Sequence, residues 1–454
     1  MAVTSAKVFN IPASAPFLRI LIRALLDGKL INNFNLLADP LALSRLTLYL
    51  PTRRACRLAR EEFLSANNGL PAVLPHIVPI GDIDEDEIVF AQAATGALAE
   101  PALALPRQIE PLERRLLLTQ LVNKWAQSAD VRGAEGTPLV ANTPAAALAL
   151  ADDLARLIDD MITRGVGWEA LDGLVPEAFD QYWQLSLGLL KVVRESWPAL
   201  LKERGAIEAA ERRDLLIEAE SERLKRSDAP VIAAGSTGSM PATAKLIATI
   251  AHLPNGAVVL PGLDMTLDDS SWRSLAGAKS SWSEATPIFG HAQFAMQALL
   301  KTIGITRSEV AQLAEAEGRE AFMSEVLRPA ATTELWPRRT DKTFAAQTKR
   351  ALDGISVIEA ANAEDEALAI AVTLREAEQL QKNAALITPD RGLARRVLAA
   401  LERWNVPVDD SAGDPVADTP AGVFARLAAK VALGGSATVT LLALLKHPLC
   451  RLGA

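Results

Sequence analysis

At 454 residues the chain is too long for one ordinary domain, and roughly two or three are expected. Half of it is hydrophobic, which excludes wholesale disorder, and the 5% aromatic content favours helices packed through small side chains. The net charge of -8 argues against indiscriminate polyanion binding but leaves room for local basic faces, because affinity for phosphate follows placed charges. The N-terminus has no charged region leading into an apolar core, so no signal peptide is expected.

Residues 1–100 alternate short apolar runs with turns. Leu46 to Leu50 reads as a strand, and Pro51-Thr52 launches a basic helix. Its Arg53, Arg57 and Arg60 recur at i, i+4 and i+7 on one face, while Cys56, Ala59 and Phe63 form another face that should pack on a sheet. Val73 to Pro79 is too rich in proline for a central strand, and Asp82 to Glu87 should be an exposed acidic loop. From 101 to 229 the signals are helical: Leu112 to Trp125, Pro144 to Thr163, Phe179 to Leu201 and Glu208 to Arg226, with a loop around 127–143. Strand signals return at Pro230 to Ala234, followed by the turn Gly235 to Ser239, a helix from Pro241 to His252 and a strand from Gly256 to Leu260. That β-α-β unit implies a parallel sheet. Residues 329–354 are polar and contain proline, as a linker would, and a second α/β segment runs from Ile355. There Asn362 is a helix cap, Ala385-Leu386-Ile387 a strand, Thr388 a cap and Pro389 a first helical residue. Leu393, Val397, Leu401 and Trp404 then recur at helical spacing, with Arg391, Arg395, Arg396 and Arg403 elsewhere, and residues 404–408 read as a short second strand.

The arginine face after Thr52 has a plain explanation as a solvated helix surface and a functional one as a phosphate-backbone contact. Gly235 to Ser239 stands where phosphate loops occur, yet it lacks a terminal Lys and the G-x-G-x-x-G spacing, so a tight turn explains it. His76, His252, His291 and His447 are dispersed and define no metal site or triad. Cys56 and Cys450 are too few for zinc or an iron–sulfur cluster and suit a reducing cytosol. The apolar stretch Ala428 to Leu445 is broken by Lys430 and two glycines, so no membrane span is expected, and the protein is expected to be cytoplasmic.

The segments Asn10 to Leu18, Tyr49 to Arg54, Pro230 to Ser239, Val259 to Asp264 and Leu386 to Arg391 together resemble the AddB family, helicase-like subunits of the AddAB helicase–nuclease, in its alphaproteobacterial form. The resemblance runs the whole length of the chain. It implies an α/β fold of degenerate superfamily-one helicase type, with RecA-like, P-loop NTPase-type domains. Residues 1–100 and 230–328 would form the first domain, 101–229 an inserted helical subdomain, 329–354 a linker, and 355–454 the start of a second domain. It further implies a part in double-strand break repair, with an AddA-type helicase–nuclease subunit and DNA ends as partners. Thr52, Arg53, Arg54 and Arg57, the Ser236-Thr237 turn, and Thr388, Arg391 and Arg395 would contact single-stranded DNA.

Three departures accompany the resemblance. Where a motor carries its phosphate-binding Lys and Mg²⁺-binding Thr, this chain has Pro16 and Phe17, and Pro389 falls at the position of an ATP-contacting arginine. No apolar strand ends in an Asp-Glu pair, so ATP hydrolysis is not expected. The family's nuclease domain, with its metal ligands and four-cysteine iron–sulfur cluster, has no counterpart here, so no cofactor is expected and the sequence reads as the N-terminal portion of such a protein. Two other readings stay open: an independent nucleotide-binding enzyme using the Gly235–Ser239 turn, and a scaffold that only docks a partner.

Overall fold

The computed structural model describes residues 6–31, 41–66, 73–81, 105–127, 143–171, 181–279, 284–316, 319–338, 342–413, 415–435 and 437–451. The acidic run Asp82 to Glu87 and most of the expected loop around 127–143 lie outside these residues. The chain divides into two compact units, Met1–Asp353 and Gly354–Ala454.

The first unit is built on a six-stranded sheet. Its strands are β1 (Val8–Ile11), β2 (Thr47–Leu50), β3 (His76–Pro79), β4 (Val231–Ala234), β5 (Gly256–Pro261) and β6 (Ala311–Gln312), in the order β6-β1-β5-β4-β2-β3. Every neighbouring pair is parallel, as the β-α-β pattern predicts. The strands alternate between two covered faces, as a parallel sheet requires. Leu48, Leu50, Ile232, Ala234, Ala257 and Val259 face one cluster, with α1 (Phe17–Leu26) and α2 (Arg53–Ala66). Tyr49, Val231, Ala233, Val258 and Leu260 face the other, beneath residues from α6 (Ala209–Lys225), α7 (Pro241–His252) and α9 (Phe294–Ile303). The proline-rich run around His76 becomes β3 at the edge, where Pro79 interrupts no central ladder. The unit has a Rossmann- or RecA-like α/β architecture.

Between β3 and β4 the chain builds a helical block of α3 (Pro111–Ala126), α4 (Pro144–Arg164) and α5 (Gln181–Glu203), leading into α6. Thr143 caps α4 by accepting from the Ala146 amide at 3.2 Å, and Gly165 ends it with a left-handed φ of 65°. Leu118, Val122, Leu154, Ile158, Val193 and Trp197 form its core. The block is not purely helical, since Arg107–Gln108 pairs in parallel with Ala206–Ile207. Beside that ladder the buried Glu208 carboxylate meets Arg114 at 2.9 Å and accepts from Trp197 Nε1 at 2.8 Å. At the other end of α6, Glu220 accepts from the buried Tyr49 hydroxyl and pairs with Arg223, tying the helix to β2.

The expected linker is instead structured. Residues Ala330–Arg338 form a 3₁₀ helix and Lys342–Leu352 form α11, within the first unit. Just before that stretch stands Arg328, whose side chain is fully buried between Asp268 (on the approach to α8, Asp269–Ser274) and Glu325 of α10 (Arg319–Val326). A buried, doubly paired arginine reads as polar in sequence but as core in space.

The second unit departs further from expectation. It packs α12 (Ala363–Gln379) against α13 (Arg391–Glu402) through Ala367, Ala371, Leu393, Val397 and Leu401, followed by α14 (Pro420–Gly434) and α15 (Thr438–Leu445). Asn362 does cap α12, accepting from the Glu364 and Asp365 amides at 3.0 and 2.9 Å. The strands expected at 385–387 and 404–408 are not formed, and no strand occurs among the described residues of this unit. Leu386 and Val406 pack against the helix pair, but Ile387 is 94% exposed. An apolar run becomes a strand only when another backbone takes its hydrogen bonds, and here none does. The capping expectation is also corrected. Asp390, not Thr388, caps α13, accepting from the Gly392 and Leu393 amides at 2.7 and 3.1 Å, and the helix starts at Arg391 rather than Pro389. Thr388 accepts from the Asp390 amide at 3.0 Å, a local turn that sets up the true cap.

Candidate functional site at the carboxyl edge of the sheet

In open parallel sheets, ligands meet the loops beyond the carboxyl ends of the strands. Four such loops converge in the first unit: Pro12 to Pro16 after β1, Pro51-Thr52 after β2, Gly235 to Met240 after β4, and Gly262 to Asp264 after β5. Two glycines set how closely they approach. At Gly235 (φ 78°) a Cβ would lie 3.3 Å from both Phe17 and Pro51, and at Gly262 (φ 72°) it would lie 3.1 Å from Ala13 Cβ. Both positions need glycine, for the left-handed backbone and for the neighbouring loop alike.

Thr52 is the cap of α2, accepting from the Ala55 amide at 3.1 Å. Beyond it the helix separates as its spacing predicts: Cys56, Ala59 and Phe63 are buried, while Arg53 and Arg57 are exposed and Arg54 is half-buried. Arg60 leans back to donate to the Ile77 carbonyl at 3.1 Å. Across Gly235, the Ser236 hydroxyl accepts from the Gly238 amide at 3.3 Å, and Ser236 and Thr237 are half-buried. The edge thus brings the Thr52 helix start beside the Ser236-Thr237 turn, although these residues are far apart in sequence. Thr388, Arg391 and Arg395 belong to the second unit. There Arg391 is engaged with Asp410 at 2.7 Å and with the Gly413 carbonyl at 3.3 Å, and Arg395 is exposed. The Asp390 carboxyl at that helix start is held below its ordinary range by the Leu393 and Gly392 amides.

Two features of the edge carried no role in the sequence reading. Asn10, 1% exposed, uses both ends of its amide. It accepts from the Leu263 amide at 2.8 Å and donates to the Leu263 carbonyl at 3.3 Å and to Gln312 at 3.1 Å. It fills the crevice between β1 and the loop after β5, and a polar residue inside the strand Val8-Phe9-Asn10-Ile11 was the available signal. The second feature is Ser14, in the β1–α1 loop. Its amide donates to Glu320 Oε1 at 2.9 Å and its hydroxyl donates to the same oxygen. Pro16 precedes α1 without a side-chain cap, and no acid lies in that helix's first turn, so the carboxylate brought to this loop comes from α10. Nothing in sequence ties residue 14 to residue 320.

The buried Tyr49 lies on β2 just below the edge. Burial and the neighbouring Glu220 carboxylate push its hydroxyl well above the ordinary tyrosine range, so it stays protonated and donates. Among the described residues no group of His, Cys, Asp and Glu is arranged to hold a metal ion, and no helix is long and apolar enough to cross a membrane. No family profile and no curated protein matches the chain. The fold defines an α/β protein of Rossmann- or RecA-like class, with a capped arginine helix and a Ser/Thr turn at the carboxyl edge of its sheet.

Proposed function

We propose that the chain is a non-catalytic, DNA-contacting subunit of helicase type, of the AddB kind, which docks an AddA-type motor subunit and follows the DNA strand during double-strand break repair. The observation that carries the reading is the convergence of the capped α2 start, with Arg53, Arg54 and Arg57, on the Gly235–Ser239 turn at the carboxyl edge. The helix amides and arginines suit a phosphodiester backbone, and the hydroxyls of Ser236 and Thr237 add neutral donors. A helical block inserted between β3 and β4 of a RecA-like sheet also suits a superfamily-one helicase ancestry. Pro16 and Phe17 supply neither the charge nor the hydroxyl that hydrolysis of a triphosphate needs, so the role assigned here is binding rather than turnover.

The test is fluorescence anisotropy of a labelled single-stranded oligonucleotide titrated with the full chain at low salt. The double variant Arg53→Gln/Arg57→Gln should weaken binding roughly tenfold or more, through lost phosphate neutralisation. Equal affinity for the variant would remove these arginines from the site. Saturable binding of Mg²⁺-ATP that is lost in Gly235→Ala would favour a nucleotide enzyme instead.

A further inference from the structure

We propose that a cleft beside the carboxyl edge, between α8 and α9, receives a nucleotide, with the base against its aromatic wall and the attached phosphate against its cations. The inference rests on the strand-contact reading of the edge only for where that nucleotide comes from. The cleft has a volume of about 880 Å³, within the roughly 300–1,000 Å³ that small-ligand sites occupy. It is lined by Trp272 and Arg273 of α8, by Phe294 and Lys301 of α9, and by Arg307, which opens the 3₁₀ turn Arg307–Glu309. One side of it belongs to the edge. Arg307 donates to the Asp264 carbonyl at 2.9 Å. Gln293, just before α9, accepts from the Asp264 amide and donates to the Gly262 carbonyl, both at 3.0 Å. The loop after β5 is therefore held by residues that flank or line the cleft, and a strand that meets this loop passes the cleft.

The lining divides into a fixed half and a free half. Arg307 lies over the Trp272 ring, with Cζ 4.8 Å from the centroid, and pairs with Asp269 at 3.0 Å, while Gln297 donates to the Trp272 carbonyl. This stack is ordered before any ligand arrives, and Trp272 and Phe294 supply the flat apolar surface on which a base stacks. Arg273 and Lys301 are exposed. Among the described residues, the Arg273 side chain spends only its Nε, on the Asp269 carbonyl at 3.0 Å, and the Lys301 ammonium has no partner. The charged lining residues are thus the cations Arg273, Lys301 and Arg307 and the carboxylate Asp269, which Arg307 already pairs. In a chain of net charge -8, two uncommitted cations beside an aromatic wall favour a ligand that joins a negative charge to a flat ring. A nucleotide has both parts, and its phosphate displaces no carboxylate on entering. Stacking accepts any base, which suits a surface that follows a strand.

Photo-crosslinking of the full chain to a thymidine strand carrying 5-iodo-deoxyuridine, with the joined peptides identified by mass spectrometry, tests this. The mononucleotide 5-iodo-dUMP is tried in parallel. Either probe should join to Trp272 or Phe294, and Arg273→Gln/Lys301→Gln should cut that product about tenfold through lost phosphate neutralisation. Both replaced residues are exposed, so the fold should survive. A product with the strand makes the strand the source of the nucleotide, and a product with the mononucleotide alone makes a free nucleotide the source. No product at Trp272 or Phe294 with either probe overturns the cleft, and so does a yield that the double replacement leaves unchanged. A strand that fails to bind at all defeats the reading of the edge as a DNA contact, and the mononucleotide then decides the cleft by itself.

Discussion

Replacing Asn10 by alanine should cost the first unit about 3 kcal/mol. The side chain makes three hydrogen bonds, two of them to the backbone of Leu263, which is itself buried. Its loss leaves the buried Leu263 amide and carbonyl without these partners. One unsatisfied buried group costs roughly 1–3 kcal/mol, and the remaining exchanges add about 1 kcal/mol. Gln312→Ala is the internal control. It removes one bond from the same cluster, on the exposed strand β6, and should cost no more than about 0.5–1 kcal/mol. Urea unfolding followed by tryptophan fluorescence measures both variants, in a Trp404→Phe background that silences the emitter of the second unit. Asn10→Ala should shift the midpoint with an unchanged slope. If it costs less than about 1 kcal/mol, or if Gln312→Ala costs as much, the clasp does not hold the β1–β5 crevice closed and the argument from buried unsatisfied groups is wrong here.

Three further outcomes follow from the same geometry. Tyr49→Phe should destabilise by about 1–2 kcal/mol at neutral pH, because Glu220 loses a buried donor while keeping Arg223. Since the folded Tyr49 hydroxyl is raised above its unfolded value, its contribution is complete below about pH 10 and is lost as pH rises above that. Urea midpoints between pH 9 and 11 should therefore fall less steeply in Tyr49→Phe than in the wild type. Burial opposes ionisation of Asp268, but hydrogen bonds from Ser270, Ser271 and Arg328 win and hold its carboxyl well below the ordinary range. Its contribution is present above the unfolded value near about pH 4 and is lost as the solution is acidified below that. Asp268→Asn should flatten the acid limb of the stability curve, and an unaltered limb would remove this carboxylate from the balance. For strand binding, log affinity against log salt should lose roughly 0.7 of slope for each of Arg53 and Arg57 replaced, and a parallel line would mean that neither meets phosphate.

What the sequence made legible divides along physical lines. Local signals carry far: the helix Pro241–His252 is bounded where its proline and apolar spacing place it, and the α2 stripe of Cys56, Ala59 and Phe63 is the face that is buried. These depend on neighbours within one or two helical turns. The failures share the opposite character. Whether Ala385–Ile387 becomes a strand depends on a partner backbone that its own residues do not specify, and the polar stretch from 329 reads as a linker because nothing local shows that its helices belong to the first unit. The cap at Asp390 shows a subtler limit. Thr388, Pro389 and Asp390 offer rival ways to start one helix, and Thr388 spends its acceptor on the turn that delivers Asp390.

The candidate site follows the same division. Thr52 and the arginines after it were legible because capping and helical spacing are local. Their placement beside Ser236 comes from β4 pairing with β2, a contact across the whole helical insertion. Asn10 and Ser14 meet partners some 250 to 300 positions away, Leu263 and Glu320, which no local signal ties to them. The loop beyond β1 is bounded by Pro16 and carries the Glu320 carboxylate on Ser14, so an anion arriving there would meet a negative charge with no lysine to offset it.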